Sequence, residues 1–566
     1  MSSWDYLIVT ASNARQAQAY EDQLRLRREL GLLPQVREWF VMADLEGRRI
    51  GSGGSTVYCL VEVLERERER AGGTACATTT TTTTTSPASS EVGPAVPPAS
   101  AADTLRRLRI LIVHAGGDSR RLPAYGPCGK IFVPVPGETY TGLAATLFDL
   151  LVPEFLGLPE GAPGRGQIVV ASGDALVRFD ASNVRLDRTG MTVLGSNAEP
   201  AEASRHGVYC LGAGDSITLY LQKPSLAEQK AAGAINAAGQ AALDLGVMSL
   251  DAEAAAALLD RFDLTGEARE RILRHGLDLY REICCAMGSA ATLASYIRSA
   301  RGSGSTWSDG MLAEVYPALR AIPFHVQLVP DGSFLHFGST RQLVESGLAL
   351  VERTQGTLAI NNCMAGGATI TGDDSWVEGC RLRAPLELAG WNVVVGVDVD
   401  EPLQLPREAC LDVLRGRDRR GGAAWFVRCY GVKDQFKDSV SQGARFCGRP
   451  LLEWVSAVGI APDEVWPDRQ DPAERSLWNA RVFPAEQAAG GFRRWLWMYQ
   501  PETASAADKC AFLSAERYSA AEIAVLADQE AFHQRRIAIW GERRRGRPGR
   551  DEASHAAKEG NSTEGR

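Results

Sequence analysis

The feature that most constrains this chain is an apolar run that ends at a glycine pair and continues into basic sequence. Residues 109–113 read Arg-Ile-Leu-Ile-Val, and the positions of interest after them are Gly116, Gly117, Ser119, Arg120, Arg121 and Lys130. Glycines let a backbone approach an anion closely, and successive N–H groups bind phosphate oxygens. Arginine and lysine suit a polyphosphate that is held and then released. The pattern predicts a nucleotide-phosphate loop, whereas a glycine pair alone indicates only a tight turn.

Composition narrows the class of protein. With 566 residues, the chain is too long for one core and is expected to form about two to four domains. A net charge of −8 argues against a general nucleic-acid binder, which needs a basic face. Twelve cysteines without a Cys-x-x-Cys pair argue against a zinc ribbon and a thioredoxin-type site. With neither a signal core nor a membrane-length apolar run, the expected location is the cytoplasm.

Strand and helix patterns alternate from about 105 to 340, as in an α/β sheet. Single helices are predicted over 264–283 and 519–539. A second glycine turn, with Gly53, Gly54 and Thr56, opens a helix and is a further candidate anion site. The threonine run Thr78–Thr85 has little charge and few large apolar groups, which predicts a disordered insertion over about 72–103.

The texture changes after about residue 352. Short β-branched runs alternate with Gly, Asn and Asp up to 405, which indicates either the rungs of a parallel β-helix or an ordinary β meander. Further strand and helix follow, and 542–566 is charged and rich in Gly and Ser, which predicts a disordered tail.

The segment from His114 to Lys130 resembles the phosphate loop of the GDP-L-fucose pyrophosphorylase family, a domain that also occurs fused ahead of an L-fucokinase. Further similar segments begin at Gly51, Ser172, Leu221, Leu243 and Gly431. The resemblance implies a mixed α/β sheet of the nucleotidyltransferase type (GT-A or Rossmann-like), then a left-handed parallel β-helix and a C-terminal helical segment. The expected domains are 1–345, 346–425 and a C-terminal extension over 426–541.

The same resemblance implies transfer of a nucleotide to a sugar 1-phosphate with release of diphosphate. Arg120, Lys130 and Lys223 are then the expected catalytic cations, and Mg²⁺ is the expected cofactor, held by Asp174. The expected nucleotide-binding residues are Gly53, Gly54, Thr56, Gly116, Gly117, Ser119, Arg121 and Gly173. The expected substrate-binding residues are His206, Asp244 and Lys433.

Several of these residues have an ordinary structural alternative. Gly173-Asp174 is also a common turn dipeptide, and Lys223-Pro224 also ends strands without further function. Asp244 would either bind sugar hydroxyls or metal, or form a turn or an internal salt bridge. His206 is either a ligand contact or a core histidine.

The sequence therefore predicts a fucose-1-phosphate guanylyltransferase, which transfers GMP from GTP to L-fucose 1-phosphate. The expected partners are these two small molecules, with no nucleic acid and no membrane; a homo-oligomer and a separate fucokinase partner remain open. Two alternatives are an L-fucokinase-type fragment and a non-catalytic regulatory paralogue. No kinase-type Gly-Leu-Gly-Ser-Ser loop follows residue 430, so kinase activity is not expected.

Overall fold

The computed structural model describes residues 3–73, 98–117, 119–330, 332–469 and 471–545. The threonine run Thr78–Thr85 and the part of the predicted tail beyond 545 lie outside the described residues. The described chain is a mixed α/β protein that contains both parallel and antiparallel strand pairs. This confirms the predicted α/β class.

The strands are numbered in chain order. They are β1 Tyr6–Ala11, β2 Glu38–Ala43, β3 Arg109–His114, β4 Pro134–Glu138, β5 Ala144–Thr146, β6 Gln167–Ser172, β7 Ala175–Arg178, β8 Met191–Ala198, β9 Gly207–Leu211, β10 Ile217–Gln222, β11 Ala241–Leu250, β12 Phe324–Leu328, β13 Ser333–His336, β14 Thr357–Ile360, β15 Cys363–Met364, β16 Ile370–Thr371, β17 Ser375–Glu378, β18 Arg381–Leu382, β19 Leu386–Leu388, β20 Val393–Val395, β21 Asp398–Val399, β22 Leu403–Leu405, β23 Ala409–Arg417, β24 Ala423–Gly431, β25 Arg445–Phe446, β26 Arg449–Pro450, β27 Phe483–Glu486 and β28 Arg517–Tyr518.

The α-helices are α1 Ala14–Glu29, α2 Gly51–Gly73, α3 Pro98–Leu105, α4 Leu147–Leu156, α5 Pro200–Ala203, α6 Leu226–Ala231, α7 Ala252–Arg261, α8 Gly266–His275, α9 Cys285–Met287, α10 Leu293–Gly302, α11 Asp309–Arg320, α12 Thr340–Leu350, α13 Leu451–Val458, α14 Pro462–Val465, α15 Ala506–Ser514, α16 Ala520–Leu526 and α17 Gln529–Arg545. A π-helix spans Leu279–Cys284. Short 3₁₀ turns include Pro123–Tyr125, Lys130–Phe132 and Leu477–Asn479.

The chain divides into two compact units. The first contains Met1–Gly117 and Phe148–Phe334, and the second contains Asp118–Leu147 and Leu335–Arg566. The sequence placed all of 1–345 in one domain, so the grouping of the segment 118–147 with the C-terminal half differs from that prediction. The segment carries its own buried contacts to the second unit, and local sequence patterns do not report such contacts.

The first unit is built on a mixed sheet with the strand order β10-β9-β11-β6-β3-β1-β2, and β8 and β12 continue from β11. The pairs β2–β1, β1–β3 and β3–β6 are parallel, whereas β11 is antiparallel to β6. Strand β3 is apolar and buried from Ile110 to Val113, because helices cover both faces of a parallel sheet of this kind. Helix α1 begins where the side chain of Asn13 accepts the N–H of Gln16.

The second unit contains three ladders of short parallel strands, with the orders β14-β17-β20-β23, β15-β18-β21 and β16-β19-β22. Leu358 pairs with Trp376, Trp376 with Val393 and Val393 with Cys410, so each ladder gains a strand every 17 or 18 residues. These four side chains are buried. Parallel pairing of this regularity excludes the ordinary β meander.

Antiparallel pairing continues this unit through β23, β24, β27 and β28. The helices around them bury large aromatic rings. The Trp454 ring packs edge-on against Phe446 and Phe512, with centroids 4.7 Å and 5.6 Å apart. No helix among the described residues is both long and apolar enough to cross a membrane.

Two predicted helices are wrong as single elements. The predicted helix 264–283 is broken after α8 by Gly276, which has φ 68° and caps the helix, and the π-helix follows. The predicted helix 519–539 is divided between α16 and α17, and α17 extends through Arg545, past the predicted start of the tail. Helix α3 likewise lies partly within the predicted insertion 72–103.

Candidate functional site

The carboxyl ends of three neighbouring parallel strands meet in one row of the first unit. Thr10 at the end of β1 is paired with His114 at the end of β3, and His114 is paired with Ser172 at the end of β6. Ligands of open α/β sheets bind at this edge, outside the carboxyl ends of the strands. The row therefore locates the candidate site within the first unit.

His114 connects this edge to the first turns of α2. Its Nδ1 lies 3.3 Å from the Thr10 hydroxyl and its Nε2 lies 2.9 Å from the Thr56 hydroxyl. The Thr10 oxygen accepts the N–H of Ala115 at 3.2 Å, and the Thr56 hydroxyl donates to the carbonyl of Ser52 at 2.9 Å. Each hydroxyl has one proton, so the chain is satisfied when Thr10 donates to Nδ1 and Nε2–H donates to Thr56. His114 is thereby assigned as the neutral Nε2–H tautomer.

The electrostatic environment of His114 agrees with this assignment. Burial disfavours the charged imidazolium and lowers the pKa of His114 to about 4. The ring therefore stays neutral at physiological pH and acts as a fixed hydrogen-bonding link between three elements.

The glycine turn after β3 is held by the start of α1. The N–H of Gly117 donates to the hydroxyl of Ser12, and the side-chain amide of Gln16 donates to the carbonyl of Gly117 at 3.3 Å. The hydroxyl of Tyr20 donates to the carbonyl of Ala115 at 2.8 Å. Gly117 has φ 128°, a conformation that favours glycine, and Gly116 is exposed. The turn is thus fixed on one side and open on the other.

Asp174 lies where the sequence placed it, directly after β6. The hydroxyl of Ser172 donates to its Oδ1 at 2.9 Å, and its side chain is partly exposed. Gly173 donates its N–H to the carbonyl of His114 at 2.9 Å. A Cβ at Gly173 would lie 2.9 Å from that oxygen, so the glycine is required by the close approach of β3 and β6.

Asp244 is buried in a cluster of tyrosines. Its Oδ1 accepts the N–H of Gly246 at 2.7 Å, and its Oδ2 accepts the hydroxyl of Tyr220 at 3.1 Å. Burial raises the pKa of Asp244, and hydrogen bonds from Gly246, Tyr209 and Tyr220 oppose that shift. Of the alternatives, the structure shows the internal hydrogen-bonded carboxyl.

Tyr280, on the π-helix, connects Asp244 with Asp174. Burial raises the pKa of Tyr280 well above its ordinary value, and the negative charges of Asp244, Asp278 and Asp174 raise it further. Its ring stacks on Tyr220 with centroids 6.3 Å apart. π-Helical turns occur often at functional sites.

The glycines at the start of α2 have a packing role. The N–H of Gly54 donates to the carbonyl of Leu277 at 3.0 Å. A Cβ at Gly53 would lie 3.0 Å from Ile283 Cδ1 and from Leu277. Close packing against 277–283 accounts for both glycines, and an anion-binding role for them stays a prediction.

Lys223 and His206 lie together at the far side of the same sheet. The N–H of Lys223 donates to the carbonyl of His206 at 2.9 Å, and Lys223 has φ 50° in the left-handed region. The His206 ring packs edge-on against Phe334 with centroids 5.0 Å apart. A left-handed lysine at a strand end is strained, which is a feature of functional turns.

The remaining predicted cations belong to the second unit. The guanidinium of Arg120 lies 5.4 Å from the centre of the Trp478 ring, and the carbonyl of Arg121 accepts the N–H of Thr340 at 2.8 Å. Lys130 begins a 3₁₀ turn after Gly129, which has φ 66°. The contacts that place Arg120 and Arg121 are therefore made within the second unit.

Ser119 and Lys433 complete the predicted set. Ser119 has φ 53°, is 4% exposed, and its buried hydroxyl has no hydrogen-bond partner among the described residues. An orphaned buried hydroxyl in a strained turn is expected where a ligand supplies the missing partner. Lys433 is exposed and forms an ion pair with Glu408 at 2.5 Å.

Sequence reasoning missed the polar residues that hold the edge together. Thr10, Ser12 and Tyr280 were not singled out, and His114 was read only as the start of the loop. A polar residue at the end of an apolar strand, as at Thr10, is a signal that could have identified one of them.

The carboxylates were tested for their fit to Mg²⁺. Within the described ranges, no three His, Cys, Asp or Glu side chains are grouped as a metal site. Mg²⁺ retains several waters and uses one or two carboxylates together with substrate phosphates. A single partly exposed carboxylate, Asp174, fits that donor set, whereas the buried and internally bonded Asp244 does not.

Fold and site together define the class of this chain: a mixed α/β protein with a glycine turn and a carboxylate at the carboxyl edge of a parallel sheet. The family model described as the fucose pyrophosphorylase domain matches residues 102–488. The chain therefore belongs to the fucose pyrophosphorylase family.

Two curated proteins illustrate the relationship. The bifunctional fucokinase/GDP-fucose pyrophosphorylase of Arabidopsis thaliana is 24% identical over 533 residues, which cover 85% of this chain and 47% of that protein. The chain thus spans about half the length of this relative. The fucose-1-phosphate guanylyltransferase of Mus musculus is 23% identical over 542 residues, which cover 85% of this chain and 83% of the mouse protein.

Among solved structures, the chain is similar to the crystal structure of a mannose-1-phosphate geranyltransferase, so titled, from Thermus thermophilus. The TM-score is 0.22 at 16% identity, with 43% of this chain and 62% of that chain covered.

Proposed function

We propose that this protein transfers GMP from GTP to β-L-fucose 1-phosphate, giving GDP-L-fucose and diphosphate. Family membership supplies the reaction class, and the names of the relatives supply the sugar and the base. The single observation that carries the proposal is the glycine turn after β3. Its backbone is fixed by Ser12 and Gln16 while Gly116 stays exposed, which suits repeated binding of an anionic ligand.

The proposed chemistry needs no covalent intermediate on the protein. An oxygen of the sugar 1-phosphate forms a bond to the α-phosphorus of GTP, and the bond from that phosphorus to the β-phosphate oxygen breaks. Diphosphate carries away the bonding electron pair. The protein aligns the two phosphates and neutralises their charge.

We assign the cationic roles by resemblance. Arg120 and Lys130 would stabilise charge on the triphosphate, Arg121 and Ser119 would help to fix the loop, and Lys223 would steady the sugar phosphate. Arginine and lysine are always or nearly always protonated at neutral pH, so they act as fixed charges rather than as acids. Lys433 and His206 remain candidate contacts to the sugar phosphate.

Asp174 is the residue that would hold Mg²⁺. When bound, the ion supplies positive charge beside the phosphates of the nucleotide. Asp174 itself is oriented by the hydroxyl of Ser172, which occupies one carboxylate oxygen and leaves the second directed by that bond. The assignment follows from the partly exposed carboxylate at the strand end.

The test is diphosphate release from the purified full chain with each of GTP, ATP, CTP and UTP, combined with fucose 1-phosphate, mannose 1-phosphate or glucose 1-phosphate. We expect release with GTP and fucose 1-phosphate, and formation of GDP-fucose by mass spectrometry. A GTP reaction that proceeds equally without sugar phosphate would indicate hydrolysis and contradict the proposal. Release with another pair would retain the reaction class and replace the sugar or the base.

The rival functions have their own readouts. A fucokinase-type protein would form fucose 1-phosphate from fucose and ATP, and a regulatory paralogue would release no diphosphate with any pair. Association with a separate fucokinase or with a second copy of the chain is tested by light scattering with and without the kinase.

For the second unit, we propose that the three parallel ladders are the faces of a left-handed parallel β-helix. The regular spacing of the strands supports this, as do the left-handed residues Asp374, Trp391 and Glu408, which recur ahead of β17, β20 and β23. The handedness is taken from the resemblance. A crystal structure of residues 335–545 within the full chain would test it.

A further inference from the structure

The basic loop from Ser119 to Lys130 is held within the second unit by polar contacts at every second residue. The N–H of Thr340 donates to the carbonyl of Arg121 at 2.8 Å. The guanidinium of Arg428 donates to the carbonyl of Pro123 at 2.9 Å. The hydroxyl of Tyr125 donates to a carboxylate oxygen of Glu378 at 3.2 Å.

The contact at Pro123 comes from a buried ion pair. Arg428 and Asp412 face each other across β24 and β23, with Nε and Oδ1 2.7 Å apart and side chains 3% and 1% exposed. Arg428 uses Nε for Asp412 and Nη2 for Pro123, so the carboxylate fixes the arginine and the arginine fixes the loop backbone.

The contact at Tyr125 comes from a second buried ion pair. Glu378, fully buried on β17, receives the guanidinium of Arg536 on α17 at 2.5 Å. The hydroxyl of Tyr125 donates to the same oxygen, and it accepts the indole N–H of Trp376 at 2.7 Å. This side chain is thus held by three residues from two distant parts of the chain.

Buried ion pairs are a poor source of stability, because desolvation of both charges offsets most of their attraction and apolar replacements of similar volume are often as stable. Both pairs nevertheless direct a donor or acceptor at the same short stretch. That stretch lies between Arg121 and Lys130, and internal turns from Leu122 to Ser119 and from Gly126 to Pro123 transmit its position.

We propose that Arg428 with Asp412, and Glu378 with Arg536, are positioning residues that set the geometry of the triphosphate-binding cations. This proposal rests on the proposed function for the chemistry of the loop. The C-terminal half of the protein then contributes to nucleotide binding through the placement of Arg120, Arg121 and Lys130, without itself contacting the nucleotide.

The test compares two altered anchors with two matched controls in the full chain. The altered anchors are Arg428→Met combined with Asp412→Leu, and Tyr125→Phe. The first control is Arg27→Met combined with Asp149→Leu, which removes a similarly buried pair of the first unit, joined at 2.7 Å. The second control is Tyr296→Phe, which removes a buried hydroxyl that donates to the carbonyl of Glu282 at 2.7 Å.

Each altered anchor is expected to raise the KM for GTP about tenfold while the KM for fucose 1-phosphate stays within about twofold, because a misplaced loop weakens contacts to the triphosphate only. A purely structural loss lowers the active fraction and therefore the apparent kcat, without moving either KM. The controls are expected to change neither KM.

Amide hydrogen exchange without nucleotide gives a second readout. Exchange over residues 119–133 is expected to accelerate in both altered anchors and in neither control. An unchanged KM for GTP in an active Tyr125→Phe variant would overturn the proposal, and this variant decides if the double variant fails to fold. If the unaltered protein forms no GDP-fucose, the proposed function fails and the exchange result alone decides whether the anchors position the loop.

Discussion

The N–H of Gly173 and the carbonyl oxygen of His114 lie 2.9 Å apart, so the ends of β6 and β3 are joined directly beside the candidate metal ligand. The same oxygen would lie 2.9 Å from a Cβ at position 173, a distance that real Cβ atoms essentially never show. The glycine is therefore required by packing, whatever nucleotide passes over it.

Gly173→Ala is expected to destabilise the protein by about 1–3 kcal/mol, because the added methyl forces the two strand ends apart. The free energy of unfolding in urea measures this loss. Gly302→Ala is the control: a Cβ there meets no atom within 4 Å, and the substitution is expected to be neutral or stabilising by up to about 1 kcal/mol. Equal stability of the two variants would contradict the packing role of Gly173.

His114→Ala leaves the hydroxyls of Thr10 and Thr56 without their shared partner, and at pH 7.5 it should cost about 1–3 kcal/mol. The pKa of His114 is lowered to about 4 in the folded protein, against about 6.5 for an unfolded chain. Its contribution to stability is complete above pH 6.5 and is lost as the pH falls toward 4, because the unfolded chain takes up the proton first.

The difference in unfolding free energy between His114→Ala and the unaltered protein should therefore be smaller at pH 5.0 than at pH 7.5. Urea titrations at the two pH values measure it. A difference that does not change with pH would show that the histidine binds a proton as readily in the folded protein as in the unfolded chain.

The sequence predicts local features of this site and misses its long-range links. The apolar run Ile110–Val113 and the carboxylate Asp174 were placed at a strand and a strand end, because both signals are contained in a few adjacent residues. The links from His114 to Thr10 and Thr56 span 104 and 58 residues, and no periodicity reports which polar side chains meet across that distance.

The grouping of 118–147 with the C-terminal half has the same cause. It depends on buried pairs such as Arg428 with Asp412, and isolated charged residues in a sequence are ordinarily interpreted as surface. The break between α8 and the π-helix could have been predicted, since Gly276 lies inside the proposed helix and glycine is a common helix terminator. The ladders of the second unit were only one of two interpretations, because their period is imperfect in sequence.

Asp174→Asn should abolish Mg²⁺-dependent GDP-fucose formation while the melting temperature without nucleotide stays unchanged. The amide keeps an oxygen that can accept the hydroxyl of Ser172, but it loses the charge that a hard cation requires. Activity across a Mg²⁺ titration is the measurement, and Asp187→Asn, at an exposed carboxylate of the same unit, is the control. Residual activity with a normal Mg²⁺ dependence would make Asp174 a turn residue only.

Lys130→Ala should lower kcat/KM by about 10²–10³, equivalent to about 2.7–4 kcal/mol of transition-state stabilisation, because one preorganised charge is removed from the loop. Circular dichroism should show that the fold is retained. Lys230→Ala, at an exposed lysine in the last turn of α6, is expected to keep full activity. Unaltered kcat/KM in Lys130→Ala would remove this lysine from the mechanism.

The threonine-rich stretch and helix α3 should respond in opposite ways to alteration. Deletion of residues 78–94 removes sequence with few apolar groups and stops short of α3, and loop-closure entropy changes by only about 0.6 kcal/mol for each doubling of length. Activity and stability are therefore expected to stay close to those of the unaltered protein. Leu105→Ala, by contrast, truncates a fully buried side chain and should cost about 2–5 kcal/mol. Thermal unfolding and GDP-fucose formation measure both effects. A deletion protein that loses GTP affinity would show that the threonine-rich stretch takes part in nucleotide binding, and one as unstable as Leu105→Ala would show that it packs on the first unit.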